Sequence, residues 1–204
     1  MSLTNYSDLK TTVANYLGRS DLTAQIPTFI TLAEVRLARQ LRIRQMLKTV
    51  TTTTTGGDKT IGLPSDFIGI RDLYLDTTPK TPLSYVSPSA LTRDTMSHEV
   101  RKPLFYTQAG LEFVLSPVPD TTYSVVMLYY AKPPALSDSN PSNVFMAVCP
   151  DALLYGSLLE AEPYLMNDAR LQTWLNLYGS AAQALAESDN AAEYAGVPIS
   201  MSVG

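Results

Sequence analysis

The stretch that decides the fold runs from Pro150 to Ala186: PDALLYGSLLEAEPYLMNDARLQTWLNLYGSAAQALA. Pro150 suits a first helical position, where its missing N–H costs nothing. From there Leu153, Leu154, Ser157, Leu158, Ala161 and Leu165 recur at helical spacing and predict one buried face. Asn167 and Asp168 interrupt the pattern and are placed to cap a second helix. That helix carries Leu171, Trp174, Leu175, Tyr178, Ala182 and Leu185. Two apolar stripes with a short connector predict an antiparallel helical hairpin with Trp174, the sole tryptophan, largely buried in it.

Outward from the hairpin the chain changes character twice. On its carboxyl side, Asn190–Gly204 has no amphipathic period, and Gly196 and Pro198 oppose a helix, which predicts an extended tail. Tyr194, Val197, Ile199 and Met201 give that tail apolar anchors, the last three in alternation, a pattern suited to strand addition on a partner. On its amino side lies the polar loop Leu136–Ser142, and before it a β region over 46–135. Ser124–Tyr130 is an almost unbroken apolar run, expected as a central strand covered on both faces. Leu104–Thr107 and Leu111–Leu115, separated by Gly110, read as a hairpin. Further strands are expected at Met46–Thr55, whose threonine run favours β structure, and at Lys59–Leu63, Ile68–Leu75 and Lys80–Val86, with a short helix over Ser87–Met96.

The amino-terminal 45 residues return to helical period. Tyr6, Leu9, Val13 and Leu17 share a face, and Gly18 is placed as a stop. A second helix runs from Pro27 to about Arg42 with Phe29, Ile30, Ala33, Leu37 and Leu41 inward. The element order is two helices, several strands, then two helices, an α+β fold. The expectation is one domain over 1–204, with amino-terminal helices (1–45), a mainly antiparallel β region (46–135), a helical hairpin (143–189) and a tail (190–204). The first and last helices are expected to pack together.

Composition narrows the function. The chain of 204 residues can bury a real core. No run approaches ~18 apolar residues, so no membrane span is expected, and the first residues, MSLTNYSDLK, show no signal peptide. Cys149 is the only cysteine, which removes intrachain disulfides and cysteine-rich metal sites and fits synthesis in a reducing cytoplasm. The net charge of −4 is uneven: residues 1–50 hold seven Lys or Arg against three Asp or Glu, and the rest hold eight against sixteen. Such polarity gives a molecule electrostatic sides.

The residues that usually carry catalysis do not assemble into a motif. His98 is the only histidine, and no serine sits in a Gly-x-Ser-x-Gly elbow. Cys149 lies among apolar neighbours and reads as a small buried hydrophobe. Glu160 and Glu162, two apart on a helix, point to different faces and cannot flank one bond, so they read as solvated charges. Gly56-Gly57-Asp58-Lys59-Thr60 lacks the P-loop spacing. No enzyme and no cofactor are expected. The remaining feature is a run of cations, Arg36, Arg39, Arg42 and Arg44. They read either as charges matched to a helix dipole or as contacts to a neighbouring subunit or to phosphate.

Two stretches carry a family resemblance. Asp21–Arg44, DLTAQIPTFITLAEVRLARQLRIR, resembles the second helix of the head-to-tail adaptor (connector) proteins of tailed bacteriophages, especially the short-tailed ones. PDALLYGSLLEAEPYLMNDARLQTW resembles their closing helical pair, and LPSDF at Leu63–Phe67 fits their turn between β segments. The resemblance implies a virion protein at the head-to-tail junction. It implies a ring, commonly of twelve copies, that joins the portal to a tail or nozzle protein and continues the channel through which DNA passes. The arginines and the tail anchors are then assembly candidates. Two other classes are kept open: a nucleic-acid-binding module using Arg36, Arg39, Arg42, Arg44 and Lys48, and a tail-associated peptidoglycan hydrolase.

Overall fold

The computed structural model describes residues 3–19, 21–93, 99–165 and 170–194. The chain begins with helices α1 (Tyr6–Leu17) and α2 (Ile26–Gln40) and a 3-10 turn at Arg44–Met46. Strands β1 (Leu47–Thr53), β2 (Thr60–Gly62), β3 (Phe67–Leu75), β4 (Thr81–Pro82) and β5 (Ser84–Tyr85) lead to helix α3 (Pro88–Arg93). Strands β6 (Phe105–Ala109), β7 (Glu112–Ser116) and β8 (Ser124–Ala131) follow, then helices α4 (Val144–Val148), α5 (Pro150–Leu165) and α6 (Leu171–Tyr194). This is the α+β order expected from the sequence. The elements form two compact units, Met1–Met46 with Pro133–Gly204, and Leu47–Lys132.

The first unit is helical and built around α5. Asn5 caps α1 by accepting the Asp8 N–H at 2.9 Å, and Gly18 ends it with φ 65°, where only glycine is unstrained. Helices α1, α2, α4 and α6 all pack on α5. The single apolar stripe expected for α5 is therefore an underestimate. Ala152, Leu153, Leu154, Leu158, Leu159 and Ala161 are buried around its whole circumference. Gly156 lets neighbours come close: a Cβ there would lie 3.1 Å from the Ala33 Cβ and 3.3 Å from the Tyr178 ring. Tyr16 of α1 reaches Trp174 of α6, with ring centroids 6.0 Å apart, so the first and last helices do touch.

Three departures from expectation in this unit have a local reason. Helix α2 stops at Gln40 rather than Arg42, because Leu41 turns to an extended backbone. A short helix, α4, precedes α5; Asn143 caps it by accepting the Met146 N–H at 3.1 Å. Helix α6 runs through Asn190–Tyr194, so the expected tail is helical over its first five residues. Alanine is the strongest helix former, and Ala181, Ala182, Ala184, Ala186, Ala191 and Ala192 carry the helix onward. Asn167, Asp168, His98 and the tail beyond Tyr194 lie outside the described residues.

The second unit contains two four-stranded sheets. One has the order β1-β8-β3-β4 and is antiparallel throughout. The other has the order β2-β7-β6-β5, with β5 and β6 the one parallel pair. The expected strand Lys80–Val86 splits at Leu83 into β4 and β5, which join different sheets. Strand β8 is interior to its sheet, as the apolar run predicts. Leu73, Val125, Met127 and Tyr129 of the first sheet share one core with Ile61 and Phe113 of the second, the arrangement of a small sandwich. Gly110, with φ 62°, makes the tight β6–β7 turn.

The LPSDF turn is a clamp within this unit. Asp66 accepts the Lys48 ammonium at 2.8 Å on one oxygen and the Tyr129 hydroxyl at 2.8 Å on the other, tying the turn to β1 and β8. The Lys48 hydrogen bond holds the Asp66 carboxyl below the usual aspartate range; burial opposes it and Tyr129 assists. A carboxyl lowered in the folded state contributes its full stability above its unfolded pKa. It loses that contribution as the pH falls through the lower folded value. Asp66→Asn is therefore expected to lower the melting temperature at neutral pH and to flatten the acid loss of stability below roughly pH 4. Parallel melting curves for the two proteins across that range would contradict the clamp.

Candidate functional site: the basic end of α2

The four arginines expected as assembly residues occupy the last turns of α2 and the segment after it, and the fold gives each a different task. Arg36 faces α5. Its Nε donates to Glu160 Oε1 at 2.7 Å, its Nη2 donates to the same oxygen, and its guanidinium lies 6.0 Å from the Tyr178 ring centroid. Arg42 folds back on its own helix and donates from Nη1 to the Ala38 and Leu41 carbonyls, each at 2.7 Å. That is the dipole-matched cap a cation makes at a helix C-terminus. Arg44 pairs with the buried Asp189 of α6, Nε to Oδ1 at 3.0 Å and backbone N–H to Oδ2 at 3.1 Å. Lys48 is held by Asp66 in the other unit. Arg39 is exposed and has no partner among the described residues.

Arg39 stands on a groove of about 360 Å³ lined by Leu32, Val35, Arg36, Arg39, Gln40 and Glu160. Leu32 is 44% exposed, so the groove offers apolar surface beside an unpaired guanidinium. Behind it the Tyr178 hydroxyl donates to Gln40 Oε1. Burial pushes the Tyr178 hydroxyl up to about 12, against the lowering effect of Arg36, so it remains a neutral donor. Burial likewise raises the Cys149 thiol to about 12, with the Asp151 charge adding to it, which leaves an unreactive packing residue.

The glutamates of α5 are not solvated charges. Glu160 carries the Arg36 pair, and Glu162 is fully buried, accepting the Trp174 Nε1–H at 2.8 Å with Arg170 Nε 3.4 Å away. They do point to different faces, and both are engaged, so no opposed carboxylate pair is available here. Among the described residues no group of three His, Cys, Asp or Glu side chains is placed to hold a metal ion. No helix among them is long and apolar enough to cross a membrane.

One buried polar hub is a residue the sequence reading passed over. Glu34, buried in the middle of α2, accepts the Leu136 N–H at 3.1 Å and the Asn143 amide at 2.6 Å. A signal was present: Glu34 lies four residues after Ile30 and three before Leu37, on the inward stripe. Of the tail candidates, Tyr194 is the last residue of α6, and Val197, Ile199 and Met201 lie outside the described residues.

This is the anatomy of a structural part. Many of the described polar side chains are spent on holding helices and turns, while Arg39 stays open beside a groove of mixed polar and apolar lining. A family model described as SU10 adaptor protein matches residues 4–201. The chain belongs to that family and is a structural bacteriophage protein of the head-to-tail junction. A comparison with curated proteins finds no match.

Proposed function

We propose that this adaptor works as one domain over 1–204 and assembles into a ring, commonly twelve copies in the adaptors it resembles. In this reading the ring joins the portal to a tail or nozzle protein, as in short-tailed phages, and continues the DNA channel. The observation that carries it is the contrast among the arginines. Arg36, Arg42 and Arg44 are engaged inside the chain, whereas Arg39 is exposed at a groove that also shows Leu32 and Val35, and it forms no ion pair among the described residues. An acidic side chain of the next copy supplies one, since the chain beyond residue 50 is strongly acidic. The same contrast weighs against a nucleic-acid module, because four of its five cations are already paired or capping. In this reading Arg39 leads the site, Arg36 shapes the groove wall, Arg42 and Arg44 hold its frame, and Tyr194, Val197, Ile199 and Met201 reach the partner.

Arg39→Glu tests this with little risk to the fold, since an exposed substitution away from special features shifts stability by about 0.5 kcal/mol or less. The variant is expected to keep the wild-type melting temperature and to lose ring formation, alone or on the portal, in negative-stain electron microscopy. Normal rings from folded Arg39→Glu would remove Arg39 from the interface. Normal rings with failed DNA delivery would move it to the channel wall.

A further inference from the structure

Three of the four edges of the two sheets are short. Strand β4 has two residues including Pro82, β5 has two, and β2 has three. Such edges resist further pairing. Strand β1 is the exception: seven residues, in unbroken register with β8, without proline or bulge. Its outer side pairs with no strand among the described residues. Its single charge, Lys48, sits near one end and is held by Asp66. Nothing in its own sequence blocks an added strand.

The two faces of β1 state what an added strand must look like. Lys48, Val50 and Thr52 lie opposite Tyr129, Met127 and Val125, so they share the core side, and Val50 packs against that core. Thr49, Thr51 and Thr53 point the other way and are exposed. A strand beside β1 therefore needs apolar residues at every second position and small polar ones between. Residues 197–203 read Val-Pro-Ile-Ser-Met-Ser-Val: four apolar residues alternate with Pro198, Ser200 and Ser202, over seven positions, the length of β1. Backbone donors alternate from side to side along a strand. With Val197, Ile199 and Met201 bonded to β1, the position of Pro198, which has no N–H, faces solvent, where an edge tolerates it.

We infer that the outer edge of β1 receives residues 197–203 of a neighbouring copy as an added strand. The inference rests on the ring reading above. A ring needs two different, complementary patches on each copy, and an open edge with a strand-like tail is such a pair. The neighbour's tail supplies the apolar residues that complete the core side of the sheet beyond Val50.

Cysteine pairing tests it on the full chain. Two single variants, Thr51→Cys and Ser200→Cys, are mixed under mild oxidation in conditions where rings are seen by electron microscopy. Thr49→Cys, Thr53→Cys and Ser202→Cys cover a shift in register. The mixture is expected to give a disulfide-linked dimer that neither variant gives alone, and the double variant a ladder of multimers on a non-reducing gel. Rings without any cross-link, or a double variant that closes only within its own chain, would overturn the inference and leave the ring standing. A chain that stays monomeric, with or without portal, would overturn the ring reading and this inference with it.

Discussion

Trp174→Ala is expected to cost about 3–5 kcal/mol, the range for emptying a large aromatic site in a core. Total stability of a domain is about 5–15 kcal/mol, so the variant is expected to be largely unfolded or insoluble at 37 °C. Two losses add. The indole packs between Tyr16 and Tyr155, with ring centroids 6.0 Å and 6.3 Å away. Its N–H is also the close hydrogen bond to Glu162, whose second oxygen is buried without a partner among the described residues. Without the indole that carboxylate keeps, among the described residues, Arg170 at 3.4 Å. Trp174→Phe separates the two losses: it restores most of the packing and leaves the carboxylate short of a donor, for about 1–3 kcal/mol. Adding Glu162→Met to Trp174→Phe is expected to recover part of that loss, because an apolar side chain needs no donor there. Urea denaturation followed by circular dichroism measures all three variants. A wild-type midpoint for Trp174→Ala would refute the burial.

The same helix pair shows what the sequence displayed and what it hid. Apolar spacing alone placed the hairpin and Trp174, because a 3.6-residue period leaves a visible stripe. It could not show that α5 is buried all round, since Gly156 and Glu162 interrupt the apolar pattern while lying inside. Glycine is buried there to let Ala33 and Tyr178 approach, and glutamate because Trp174 supplies a donor. Both reasons lie in residues far along the chain. Strands β3 and β8 were legible from alternation and apolar runs. The split of Lys80–Val86 was not, because membership in one sheet or the other is decided by long-range pairing. At the candidate site, the cluster of arginines was evident but their division of labour was not. Asp189, which holds Arg44, is 145 residues away.

Glu34→Ala is the second large effect expected, about 3 kcal/mol, and it follows from counting donors rather than from lost volume. The carboxylate joins α2 to the segment that brings the chain into α4. One oxygen takes both the Leu136 N–H and the Asn143 amide, and the other is 3.3 Å from the same N–H. Asn143 uses its remaining groups on the Met146 N–H and the Pro134 carbonyl, so it cannot turn to replace a lost acceptor. Leu136 is 5% exposed, which keeps water from doing so readily. Each buried donor left unpaired costs about 1–3 kcal/mol. Glu34→Gln keeps the length and one acceptor but turns an NH2 toward a donor, and an intermediate loss is expected. The consequence is local as well as global. Residues 133–148 lose a tie to α2 while Tyr6, whose N–H reaches the Pro141 carbonyl at 2.8 Å, still ties them to α1. Hydrogen exchange is therefore expected to accelerate first at Leu136 and across α4 in Glu34→Ala, ahead of α5, with the urea midpoint falling in step. An unfolding free energy within about 0.5 kcal/mol of the wild type, the range of an ordinary surface substitution, would mean that the buried carboxylate carries no structural role.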